Sequence, residues 1–184
     1  KRIFEPLVEG KVGIYVCGIT PYSPSHIGHA RQAIAFDIIV RWFRKSGYNV
    51  NHITNFTDID DKIIATANDE QINFLEVANR NIEDYFEVMN LLNVLPADAY
   101  PRVTETIPEI ISMISSLIAS GNAYESSDGV YFEINSAPEK YGQLTGQTLE
   151  MVQEGAGGRV TKTGSGKKNH RDFALWKSAK ENEP

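Results

Sequence analysis

Apolar residues recur along this chain with two different periods, and the changes of period mark out its elements. From Lys11 to Cys17 the dense β-branched and aromatic run Val12, Ile14, Tyr15 and Val16 reads as a buried strand. A turn-forming patch follows, Gly18-Ile19-Thr20-Pro21-Tyr22-Ser23-Pro24-Ser25, and order resumes at His26-Ile27-Gly28-His29. Apolar residues then return at every fourth position, Ala30, Ile34, Ile38 and Trp42, with Ala33, Val40 and Phe43 broadening the stripe. That spacing predicts an amphipathic helix from about Ile27. It ends at Ser46-Gly47, after basic Arg41, Arg44 and Lys45 where a helix dipole favours them. Tyr48 to Thr54 reads as a second strand, so the region is a βαβ unit with a parallel pair and a right-handed crossover.

Beyond it, Asn73 to Leu92 has the stripe of a long helix, and Pro96 and Pro101 bracket a connector. Thr106 and Glu109 have capping-box spacing, with Pro108 in the first turn of a helix that stops at Gly121. Ala123 to Ser126 and Gly129 to Ile134 predict a hairpin around Ser127-Asp128-Gly129. The glycine-rich stretch Glu154 to Gly166 lacks the spacing of a phosphate-binding P-loop and reads as a surface loop. Its basic neighbours Lys167, Lys168, His170 and Arg171 suit either a phosphate backbone or plain solvation. Asp172 to Lys177 predicts a last short strand.

Composition narrows the class without choosing a function. Of 184 residues, 41% are hydrophobic and 23% charged, as in an ordinary globular protein. The net charge of −6 does not advertise a nucleic-acid binder, although a local basic patch would suffice for one. A single cysteine excludes an intrachain disulfide framework. No apolar run reaches signal-peptide or membrane-spanning length, which makes a cytoplasmic protein without membrane contact the expectation.

The chemistry concentrates where the first strand meets the first helix. Ligands of open α/β sheets bind outside the carboxyl ends of the strands, and a helix start offers free N–H groups to an anion such as phosphate. Cys17 stands at that strand end, and His26 and His29 stand at that helix start. Taken blandly, the cysteine fills a core and the histidines cap a helix. The second strand runs into Asn55-Phe56-Thr57-Asp58-Ile59-Asp60-Asp61-Lys62. Its carboxylates suit a metal, or an aspartate that caps a helix beginning near Asp61.

Three blocks stand in the order found in cysteinyl-tRNA synthetases: Val16 to Thr20 with His26 to His29, Asn55 to Lys62, and Asp172 to Lys177. The chain resembles that branch of the class I aminoacyl-tRNA synthetases over nearly its whole length. The resemblance implies an α/β, Rossmann-like catalytic domain with a parallel sheet, interrupted by an α+β connective insertion. On this reading residues 1–94 are the first half of the catalytic domain, 95–166 the insertion, and 167–184 a return to the catalytic domain. His26 and His29 are implied to be catalytic, and with Gly28 to bind ATP. Cys17, Gly18, Ile19, Thr20, Asn55 and Thr57 are implied to hold the substrate or adenylate. Cys17 is also implied to be one ligand of a Zn2+ ion. The implied partners are L-cysteine, ATP with Mg2+ and tRNA(Cys), and the full-length form is implied to be a monomer. The family's other zinc ligands, its KMSKS-type loop and its anticodon-binding domain are not among these residues, so a fragment is expected. The alternatives are a cysteine ligase of mycothiol synthesis, with an amino-sugar acceptor, and a non-catalytic fragment that binds tRNA or a partner.

Overall fold

A computed structural model describes residues 3–146, 166–181 and 183–184. The chain divides into two compact units, Lys1–Ile107 and Pro108–Pro184. In the first, strand β1 (Lys11–Ile19) leads through helix α1 (Ile27–Lys45) to strand β2 (Asn49–Phe56). The strands pair in parallel, with Lys11 opposite Asn49 and Val16 opposite Thr54. The ladder slips between Val16 and Ile19, across Cys17 and Gly18. On the far side of β2, single parallel bridges join Ile53 to Ala99 and Phe56 to Arg102.

Helix α1 meets the sheet through Val40, which packs with Val12 and Val50 and with the partly buried Phe43. The expected stripe behaves otherwise. Ala30 is buried, but Ile34, Ile38 and Trp42 are progressively uncovered, the last two 62% and 69% exposed. The reason is geometric: at 100° per residue, four residues overshoot one turn by about 40°, so a strict spacing of four winds off the core face. The buried line runs instead through Ala30, the half-buried Ala33 and Phe36, and Val40.

Helix α2 (Asp61–Glu70) begins at the Asp60 cap, whose carboxylate accepts the Lys62 N–H. Helix α3 (Phe74–Leu91) begins at Asn73, whose side chain accepts the Leu75 N–H. Ile63, Ala67, Val77 and Ala78 join the two helices in one apolar cluster. Further along α3, Ile82 packs with Ile19 and Phe56 from the strand ends. Helix α3 therefore reaches under the edge of the sheet where β1 and β2 terminate.

The second unit holds most of helix α4 (Ile107–Ala119) and an antiparallel sheet of β3 (Ala123–Ser126), β4 (Gly129–Phe132) and β5 (Phe173–Lys177). The hairpin is as expected, with Ser126 opposite Gly129. At Gly129 φ is +150°, and a Cβ there would meet the Trp176 carbonyl. Asp172, almost fully buried, accepts the Tyr124 hydroxyl and the N–H groups of Ile134 and Asn169. The compact units divide between Ile107 and Pro108, and the Ala99 and Arg102 bridges hold the connector to β2. The strand of the 167–184 segment pairs with the hairpin strand β4. The glycine-rich stretch from Glu154 lies outside the described residues, apart from Gly166.

Candidate functional site

The helix start of α1 is built from the tetrad itself. His26 is the N-cap, with extended backbone, and its Nδ1 accepts the Gly28 N–H at 3.0 Å. In return the Nδ1 of His29 accepts the His26 N–H at 3.4 Å. The pair is a capping box in which imidazoles replace the usual hydroxyl and carboxylate. Gly28 gives the ring its place: a Cβ there would lie 2.8 Å from Cε1 of His26, so the imidazole would have to shift for any other residue. The two rings stack with centroids 3.8 Å apart. Both Nδ1 atoms accept a backbone proton, so each neutral ring carries its own proton on Nε2. Partial burial and then the neighbouring His26 hold the His29 imidazole below its ordinary 6.5, against an opposing pull from Asp84. The N–H groups of His26, Gly28, His29 and Ala30 are all taken within this first turn, so what the site leaves for an anion is the two Nε2–H donors at the positive end of the helix dipole.

At the end of β1, Cys17 is exposed, which removes the core-filler reading. The ladder slip beside it is closed by a side chain: Gly18 donates its N–H to Asn55 Oδ1 at 2.8 Å. A Cβ on Gly18 would fall 1.6 Å from the Asn55 carbonyl oxygen, so the two backbones meet too closely for any other residue. Asn55 Nδ2 reaches the Thr57 hydroxyl at 3.5 Å, and Thr57 donates its N–H to the Ile19 carbonyl. Of the residues singled out in the sequence, Cys17, Gly18, Asn55 and Thr57 are therefore brought together. The Ile19 side chain is buried in the core, and its carbonyl is the one that Thr57 holds. Thr20 is half-buried, and its carbonyl accepts the Tyr22 N–H. A cavity of about 270 Å³ adjoins this edge, lined among others by Cys17, His29, Gln32, Phe36, Tyr85 and Tyr100. Burial pushes the Tyr85 hydroxyl up to about 12, so it stays protonated.

Asp58 and Asp60, after β2, serve the fold. Asp58 is fully buried and accepts the Thr104 N–H at 3.0 Å and the Thr104 hydroxyl at 2.6 Å. Arg102 lies 4.0 Å from it. Among the described residues no three His, Cys, Asp or Glu side chains gather as a metal site, and Cys17 stands as a single thiol.

Three residues at the site were not legible as functional. Gln32 Nε2 donates to the Cys17 carbonyl at 2.7 Å. Asn81, 2% exposed, donates to the carbonyls of Pro21 and Val77. Asp84 accepts the Ser25 N–H at 2.7 Å. Only Asn81 gave a signal, as a polar residue within the apolar stripe of α3.

Comparison with known proteins agrees with this geometry. Residues 3–184 match the family model described as the tRNA synthetases class I (C) catalytic domain. Cysteine–tRNA ligase of Pyrococcus furiosus is 52% identical over 184 residues, covering all of this chain and 38% of that protein. The corresponding ligase of Nitratidesulfovibrio vulgaris strain DP4 is 49% identical over 185 residues, with 37% of its length covered. The chain thus spans well under half the length of these relatives. In fold it resembles Mycobacterium tuberculosis methionyl-tRNA synthetase in complex with methionyl-adenylate, at TM-score 0.56 and 23% identity over 67% of this chain and 25% of that one. The capped histidine pair, the parallel strand edge and the family match agree: the chain belongs to the class I (C) tRNA-synthetase catalytic-domain family.

Proposed function

We propose that this chain carries part of the cysteine-activating site of a cysteine–tRNA ligase, forming cysteinyl-adenylate from L-cysteine and ATP for transfer to tRNA(Cys). The observation that supports it best is the reciprocal histidine cap, which leaves both Nε2–H groups free of the cap they build. In this reading the cysteine carboxylate attacks the α-phosphate of magnesium-bound ATP, and pyrophosphate departs. His26 and His29 donate hydrogen bonds to the phosphates as charge develops there, and Gly28 lets the chain approach closely. The backbone from Cys17 to Thr20, held by Asn55 and Thr57, lines the place of the amino acid and its adenylate. The test is cysteine-dependent ATP–pyrophosphate exchange by the full-length enzyme and its His26→Ala and His29→Ala variants. Activity that survives in both variants would remove the histidines from the chemistry.

Zinc favours thiolate ligands, and a bound zinc would hold a substrate thiolate in preference to a serine hydroxyl. Cys17 offers one such donor, and no metal site forms among the described residues, so no step is assigned to a metal. We infer that Cys17 is one ligand of a zinc whose others lie outside them. Loss of zinc from full-length Cys17→Ser, read by elemental analysis, is the expected result, and unchanged zinc would refute it. The proposed setting is the cytoplasm, where translation supplies the tRNA. No helix among the described residues is long and apolar enough to cross a membrane. The separate compact unit beginning at Pro108 supports the connective insertion in this reading.

A further inference from the structure

The segment from Pro21 to Ser25 links the strand end to the histidine cap, and its own sequence fixes it weakly. The structure holds it from outside. Pro21 is fully buried, and its carbonyl accepts Nδ2 of Asn81 at 3.1 Å. At the other end the Ser25 N–H donates to Asp84 Oδ2 at 2.7 Å. Ser25 immediately precedes the N-cap, so its peptide plane sets the direction from which His26 enters the helix. Asn81 and Asp84 are three residues apart on α3 and so share one face. One helix face therefore grips both ends of the linking segment.

We propose that Asp84 is a positioning residue for the histidine pair: by holding the Ser25 amide it fixes the backbone from which the His26 ring projects. This rests on the reading of His26 and His29 as phosphate-binding groups. An asparagine at position 84 can still accept from the Ser25 N–H through its carbonyl oxygen, whereas alanine cannot reach it. A charge-assisted hydrogen bond to a partly buried amide is strong enough that its loss can misplace a donor during reaction.

The experiment uses the full-length enzyme with Asp84→Ala, Asp84→Asn, His29→Ala and the Asp84→Ala/His29→Ala double variant, all in ATP–pyrophosphate exchange. Asp84→Ala is expected to lower kcat roughly tenfold or more, and Asp84→Asn to recover most of that loss. In the His29→Ala background the Asp84→Ala step is expected to cost much less, because both act on one constellation. Equal activity of the alanine and asparagine variants, or additive losses in the double variant, would overturn the proposal. Protection of the Ser25 amide from hydrogen exchange provides a measurement independent of variant folding. Slow exchange in the wild type supports the grip, and exchange at the unprotected rate overturns it. If the wild-type enzyme shows no cysteine-dependent exchange at all, the functional reading falls, and Ser25 protection still decides whether Asp84 holds the loop.

Discussion

Two segments leave the same edge of the parallel sheet, and they use their polar residues in opposite ways. After β1, residues 20–29 keep their capping atoms inward and leave one nitrogen of each imidazole outside the cap. After β2, residues 55–60 spend their polar groups on the fold: Asn55 on Gly18, Asp58 on Thr104, and Asp60 on the start of α2. A run with two aspartates looks more chemical than a pair of histidines, yet it is the one that is consumed by structure. The difference lies in burial. A fully buried carboxylate must be matched by donors at once, whereas a histidine at a helix start satisfies the cap with one nitrogen and retains the other.

The contrast can be broken most sharply at Asp58. Replacing this fully buried carboxylate with alanine strands the part-buried Thr104 donors and should cost about 3–5 kcal/mol of stability, read by urea unfolding. A stable Asp58→Ala protein with impaired exchange activity would reverse the roles of the two segments. At His26 the balance should invert. Its alanine variant should lose about 10²–10³-fold in exchange activity but only about 1 kcal/mol of stability, the worth of an N-cap. Gly18→Ala should come next, at about 1–3 kcal/mol, because its Cβ would collide with the Asn55 carbonyl and push the strand ends apart. Differential scanning calorimetry would expose an unchanged melting temperature and refute that collision.

The smallest effect concerns pH. Partial burial lowers the pKa of both His29 and His52 from the ordinary 6.5, so the unfolded chain binds protons that the folded one refuses. Their contribution to stability is complete above pH 6.5 and is lost as pH falls through the lower folded values. Urea midpoints measured at pH 7.5, 6.5 and 5.5 should decline only over the last interval. A midpoint that rises on acidification would contradict the assigned direction.

Local signals account for what could be read in advance. The strand at Val12–Val16, the helix stop at Gly47, the Asp60 cap and the hairpin at Asp128 each depend on residues a few positions apart. The tetrad was legible as a helix start for the same reason. What escaped depends on distance or angle. Ile38 and Trp42 looked like core because a spacing of four resembles a helical period until its drift accumulates. The partners of Asp58 and Ser25 lie 46 and 59 residues away, and no periodicity marks such pairs. Gly18 looked like an ordinary turn glycine until the Asn55 backbone stood against it.

The grip of α3 on the segment before the tetrad also has a consequence in time. A ribosome releases the histidines well before it makes the residues that hold them in place. With 59 residues between Ser25 and Asp84, synthesis at about 5–20 residues per second leaves an interval of roughly 3–12 s. Throughout it the nascent segment has its histidines but not the support that orders them. A half-made chain should therefore be a poor phosphate binder, and the site should mature only as α3 emerges and docks.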